Sequence, residues 1–124
     1  MKSLPFILFT FLVCSCAYGQ EEKQKVRLAR LVIDSAQLES YHTFLREEIE
    51  ASVKAEPGVL TLYAVSETNK PTHITILEIY ASEEAYKKHI QTPHFLKYKN
   101  GTKDMVKHLE LIETTPLIPG MKIK

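Results

Sequence analysis

The sequence predicts an α+β domain built on a ferredoxin-like split βαβ sheet, and three observations carry that prediction. The hydrophobic period switches between strand-like runs and helical stripes in the order β-α-β-β-α-(α)-β. The two middle strands are joined by a connection short enough to make them an antiparallel hairpin. Both of those strands carry apolar residues on both alternations. Helices cover only one face of a two-layer sheet, so the second apolar face calls for a second copy of the sheet against it. The expected architecture is therefore a dimeric α+β barrel. An exposed apolar sheet would otherwise invite aggregation.

Taken in order, 25–33 (KVRLARLVI) is rich in β-branched and aliphatic residues and reads as the first strand. Asp34 or Ser35 then caps a helix, with Gln37 three residues after Asp34 in a box-like arrangement. Leu38, Tyr41, Leu45, Ile49 and Val53 form one helical stripe, with Glu47, Glu48, Glu50 and Lys54 on the other side. Pro57-Gly58 ends that helix. The second strand is 59–66 (VLTLYAVS), with Val59 and Val65 on one alternation and Leu60, Leu62 and Ala64 on the other. Thr68-Asn69-Lys70-Pro71 is the turn, and 72–80 (THITILEIY) is the third strand, with Ile74 and Ile76 set against Leu77 and Ile79. Ser82 caps a helix over 83–90, whose first-turn acids and late lysines suit the helix dipole. Pro93 begins a short third helix through Lys99, Asn100-Gly101 is a turn, and 106–113 (VKHLELIE) is the last strand.

At 124 residues the chain has room for one domain, and its 44% hydrophobic and 25% charged content is ordinarily globular. Residues 1–19 have the parts of a secretory signal: Lys2, an apolar run over 4–13, and Ala17-Tyr18-Gly19 before Gln20. Val13-Cys14-Ser15-Cys16 also resembles a bacterial lipobox, which would leave Cys16 lipidated. The two readings agree on export, to a periplasmic, secreted or membrane-anchored location. A run of ten is too short for a transmembrane helix, which takes about 20 residues. Both cysteines lie in the leader, so the domain over 26–116, after a linker at 20–25 and before a tail at 117–124, has no thiol for disulfides, catalysis or metal. Net charge is +1, without a basic stripe, and this argues against nucleic acid as a partner. Lys97, Lys99, Lys103 and Lys107 form the one local surplus, read as a solvated face.

Glu56-Pro57-Gly58-Val59, then Glu78-Ile79-Tyr80, Ser82-Glu83-Glu84-Ala85, His89 and Thr92-Pro93-His94-Phe95, resemble the antibiotic biosynthesis monooxygenase (ABM) family, with its quinol-monooxygenase branch nearest. The resemblance spans roughly 26–116. It implies a dimeric α+β barrel with a pocket between each sheet and its helices. It also implies oxygenation of quinol-like aromatics by O2 without metal or flavin, so no cofactor is expected. Some members degrade haem with a Trp–His–Asn set, and this chain has no Trp. Others isomerise small sugars or carbonyl compounds.

Cofactor-free oxygenation needs a base to ionise the phenol and a water-poor pocket to hold the radical pair. His89 is the best base by residue type, and the family motif has a histidine there; otherwise it caps its helix. Glu78, a carboxylate among apolar strand residues, either orients His89, holds the substrate hydroxyl, or pairs with Arg27, Arg30 or a lysine. The strand pattern leaves its face open. Tyr63, Tyr80, Phe95 and Tyr98 either line an aromatic slot or fill core. His94 is a second proton carrier or an exposed helix-start residue. His42, His73 and His108 lack ligand spacing, so no metal site is expected. The four glycines form no phosphate loop, and Asn100-Gly101-Thr102 matches a glycosylation acceptor but is read as a turn. Against the oxygenase stand a non-catalytic dimeric binder of an aromatic or haem, and a small-carbonyl isomerase.

Overall fold

The computed structural model describes residues 23–118 and 120; the expected leader with Cys16, the first part of the expected linker and most of the last residues lie outside the described residues. β1 (Lys25–Ile33) turns Arg27, Ala29, Leu31 and Ile33 to one buried face by strict alternation. Asp34 then caps a 3₁₀ turn (Ser35–Gln37), accepting from Ala36 N–H at 3.1 Å and from the Gln37 amide at 3.2 Å. α1 (Leu38–Ala55) follows and ends before Pro57-Gly58. β2 (Val59–Glu67) and β3 (Lys70–Tyr80) form the hairpin, closed where Glu67 pairs with Lys70. α2 (Glu83–His89) is capped by Ser82, α3 (Pro93–Thr102) by Thr92 with Pro93 in its first turn, and β4 (Val106–Thr114) completes the sheet.

The strands lie in the order β2-β3-β1-β4, with every neighbouring pair antiparallel. This is the ferredoxin-like α+β fold that the element order predicted. The core is the seam between the inward face of the sheet and α1, with Ala29, Leu31, Ile33, Ile74 and Ile76 packed on Tyr41 and Leu45. A second cluster, Val59, Leu62 and Tyr80, lies nearer α2.

Three local expectations need correction. The buried line of α1 is Tyr41, Leu45, Glu48 and Ser52, while Val53 is half exposed. Successive steps of four drift by about 40° each around a 3.6-residue helix, which carries Val53 off the face. The steps 4, 3, 4 stay on it. Glu48 therefore turns inward, its cost reduced because Ser52 Oγ donates to its Oε1 at 2.7 Å. In β2 the register against β3 shifts between Val59 and Thr61. Val59 and Leu62 are therefore both buried and Leu60 is exposed, whereas simple alternation had grouped Val59 with Val65 and Leu60 with Leu62. Asn100-Gly101 is no turn but part of α3. Gly101 is there for close approach: a Cβ would collide with the Phe44 ring of α1.

Gly58 has the same role between α1 and α2, where an added Cβ would lie 2.6 Å from Ala85 Cβ. A methyl carbon on a short backbone stem cannot swing aside. Gly58→Val should therefore destabilise the domain by about 1–3 kcal/mol in thermal or denaturant unfolding, the usual cost of overpacking.

Candidate functional site

The inward faces of β1, β2 and β3, roofed by α1 and α3, enclose a cavity of about 480 Å³. Its walls are aliphatic and aromatic: Ala29, Leu31, Leu45, Leu62, Ile76 and Phe95. The polar groups concentrate where β1 and β3 meet α2 and the end of α1. Arg27 and Glu78 are register partners on neighbouring strands and meet side chain to side chain, Nε to Oε2 at 2.8 Å. Tyr80 O–H donates to the other oxygen of Glu78 at 3.0 Å, and Arg27 Nη1 donates to Tyr86 O–H at 3.0 Å, its guanidinium also stacked 4.6 Å from that ring's centre. Burial pulls the Arg27 guanidinium down, but the hydrogen bond and charge of Glu78 outweigh it and hold the arginine firmly protonated.

Next to this pair lies a second network around His89, which is only 2% exposed. α2 delivers His89 from its last turn. Glu56, just past the end of α1, receives it: His89 Nδ1 lies 2.9 Å from Glu56 Oε2. His94 Nε2, at the start of α3, reaches the same oxygen at 2.7 Å. Burial pushes the Glu56 carboxyl up, but the two histidine hydrogen bonds and charges reverse it, so its pKa lies below the usual value. An ionised carboxylate only accepts, so both histidines donate to it. His89 therefore carries a proton on Nδ1, which leaves Nε2 as the ring atom turned toward Glu48. That nitrogen lies 3.3 Å from Glu48 Oε1. Burial holds the Glu48 carboxyl above its ordinary value, despite the Ser52 hydrogen bond and the nearby histidines. The arrangement fixes an imidazole from both sides: the Glu56 carboxylate orients one ring nitrogen, and the other faces the Glu48 carboxyl at the cavity wall.

Of the residues singled out in the sequence, His89, Glu78, Phe95 and Tyr98 line the cavity. His94 stands one step behind, on Glu56. Tyr80 is fully buried, serving Glu78 and stacking 5.3 Å from the His89 ring. Tyr63 is not brought to the cavity: it pairs with Leu77 on the far sheet face and is 66% exposed. Glu78 takes the inward face of β3 and pairs with Arg27, and the partners of the His89 nitrogens are Glu56 and Glu48 instead. Tyr98 O–H shares a 2.7 Å hydrogen bond with Tyr41 O–H. Burial pushes Tyr41 up to about 12 and Tyr98 higher still, so both remain neutral hydroxyls. Glu48, Ser52, Glu56 and Tyr86 are site residues that the sequence reading did not select. The ligating atoms of Glu56, His89 and His94 lie within 4.8 Å of one another, the one set of three among the described residues that offers donors to a metal ion. No helix among the described residues is long and apolar enough to cross a membrane.

Two outcomes follow from this geometry. Arg27→Met leaves Glu78 buried without its cation and should cost about 3–5 kcal/mol in denaturant unfolding, while Arg27→Met/Glu78→Gln should recover most of that loss. Glu56, with its depressed pKa, contributes stability that is present above its unfolded value near 4.5 and is lost as pH falls through the lower folded value. The melting temperature should therefore fall more steeply below about pH 4.5 in the wild type than in Glu56→Gln, as followed by circular dichroism.

The comparisons agree with this architecture. The family model for antibiotic biosynthesis monooxygenase matches residues 26–101. The crystal structure of an ABM-type protein from Bacteroides thetaiotaomicron is 63% identical and superposes with a TM-score of 0.80, covering 82% of this chain and 96% of that one. A monooxygenase-type protein from Lactobacillus acidophilus is 28% identical with a TM-score of 0.71, over 74% of this chain and 43% of that one. An ABM-type structure from Nitrosomonas europaea, 20% identical with a TM-score of 0.72, covers 82% of this chain and 97% of that one, and shows the shared fold. A search of curated proteins found no match. With the family model matched over most of the domain and a close structural relative over nearly its whole length, the chain belongs to the antibiotic biosynthesis monooxygenase family.

Proposed function

We propose that this protein is an exported, dimeric, cofactor-independent monooxygenase that oxidises a quinol-like aromatic with O2. The observation that carries the reading is the oriented His89 at one end of an apolar cavity, with Glu56 on Nδ1 and Nε2 held 3.3 Å from Glu48. A quinol hydroxyl at that end would lose its proton to Nε2. The resulting phenolate passes one electron to O2, and the radical pair recombines to a ring peroxide. Loss of water then gives the hydroxyquinone: one oxygen atom enters the ring, the other leaves as water, and all the electrons come from the quinol. The dry walls limit escape of the radical pair. Glu78, already held by Arg27 and Tyr80, is a positioning group for the substrate hydroxyl beside His89.

Support for the dimer lies on the far side of the sheet. Leu28, Leu77 and Ile79 stand on that face, beside Tyr63 and Val65, which are 66% and 49% exposed in the single chain. A patch of this kind marks an interface more often than a solvated surface.

The test is oxygen uptake by the purified, chelator-dialysed protein with a panel of hydroquinones and catechols. Uptake above autoxidation should persist after dialysis and fall by about 10²–10⁴-fold in His89→Ala, the range for loss of a general base. Turnover without oxygen consumption would replace the oxygenase with an isomerase. Ligand binding without turnover, indifferent to His89, would replace it with a binding protein.

A further inference from the structure

The cavity is charged unevenly, and the imbalance bears on what it holds. At the His89 end, acids predominate: Glu48, Glu56 and Glu78 surround it, and the one buried cation, Arg27, is taken up by Glu78. The opposite end is formed where α3 finishes and β4 starts, and there the lining includes Lys99, Lys103 and Lys107. All three are exposed at the mouth, and among the described residues none forms an ion pair within 4.0 Å. Their neighbour Lys97, by contrast, is bonded to Glu47 at 2.6 Å. Asp34 acts on Lys107 only at a distance.

Lys107 has a structural reason for being there. The register of β4 against β1 shifts between Val32, which pairs with His108, and Ile33, which pairs with Val106. Lys107 is the residue left without a partner. Leu111 and Leu109 pair with the inward-facing Ala29 and Leu31, so alternation along β4 keeps Lys107 on the same face, where it lines the cavity mouth. Between the two ends run the apolar walls, with half-exposed Leu109 and Leu111 on the β4 side.

We infer that the cavity binds a substrate with a flat apolar body and an anionic group, a carboxylate, sulfonate or phosphate, at the end remote from its reacting hydroxyl. The inference rests on the reading of this cavity as the substrate pocket and names the substrate class. The charge pattern also sets the orientation. An anion at the His89 end would face the Glu48 and Glu78 carboxyls and no unpaired cation, whereas at the mouth it meets three lysines. The hydroxyl is thereby directed inward to Nε2. The stretch of β1 from the Arg27 level to the bulge spans roughly 17 Å of strand, shortened by the reach of the lysine side chains. That length suits a body of two rings rather than one.

Two dyes with the same anilinonaphthalene body separate the charge from the apolar part: 1-anilinonaphthalene-8-sulfonate and the neutral N-phenyl-1-naphthylamine. In fluorescence titrations at low salt, the sulfonate should bind about tenfold more tightly than the neutral dye, and added salt should erode the difference. Lys99→Gln/Lys103→Gln/Lys107→Gln should weaken the sulfonate at least fivefold and leave the neutral dye unchanged. Filling the cavity, by Ala29→Phe or by Leu111→Trp should the first not fold, should weaken both dyes. Equal affinity for the two dyes, a triple variant that still prefers the sulfonate, or sulfonate binding indifferent to filling of the cavity would each overturn the inference. Dye binding needs no turnover. Loss of charge selectivity with oxygen uptake intact would remove this inference alone, and the converse would remove the oxygenase reading alone.

Discussion

Four ionisable side chains, Arg27, Glu48, Glu78 and His89, are each less than a tenth exposed, and the need to leave none of them unpartnered organises the domain. Burying a charge or a polar group is costly unless it is hydrogen-bonded or paired. The pairing runs within and between layers: β1 to β3 through Arg27–Glu78, β3 to itself through Tyr80, the sheet to α2 through Arg27–Tyr86, α1 to itself through Glu48–Ser52, and α2 to the end of α1 through His89–Glu56. Among the described residues no buried side-chain nitrogen or oxygen is left without a hydrogen bond. A network satisfied to this degree fixes where α2 sits on the sheet, and with it the position of the cavity's polar end.

The same network divides the labour between structure and chemistry. Glu56 takes two histidine hydrogen bonds and stays ionised; Glu48, more deeply placed, is pushed toward its neutral form. Two carboxyls on opposite sides of one imidazole are thereby driven apart in proton affinity by their surroundings. One anchors Nδ1 of the ring and the other faces Nε2. Separation of this kind is how a single fold obtains acid and base functions at neutral pH. The tyrosines contribute differently. Tyr41, Tyr80 and Tyr98 are all shifted upward by burial, so they serve as neutral hydrogen-bonding groups rather than bases.

Small residues and register shifts position the rest. Gly58 lets the turn after α1 approach α2, and Gly101 lets α3 approach α1, more closely than a Cβ would permit. The register shift near Leu60 keeps Val59 and Leu62 on one face, and the one at Lys107 lets Val106 pack on the core beside Ile33. None of these adds much to stability alone. Together they convert a common two-layer sheet into one with a graded pocket, acidic and dry at one end and basic and open at the other.

The sequence by itself determined the element order, the hairpin, the caps at Asp34 and Ser82 and the start of α3 at Pro93, because period, turn residues and caps act within a few residues of one another; the family followed from its motifs. It also put His89 forward, by residue type and by its match to the family motif, and the structure lines the cavity with it. What only the tertiary structure decided is which residues meet. Glu48 sits among surface-type residues of α1 and is turned inward by a one-residue difference in helical step; Glu56 looks like a helix-end acid until α2 and α3 each bring a histidine to it. Tyr63 reads as well for a pocket as Tyr98, and only the pleat of β2 sends it to the other face. Side-chain chemistry is carried by the residue, but proton affinity and reach depend on neighbours 33 and 38 positions away along the chain, and those neighbours are set by packing.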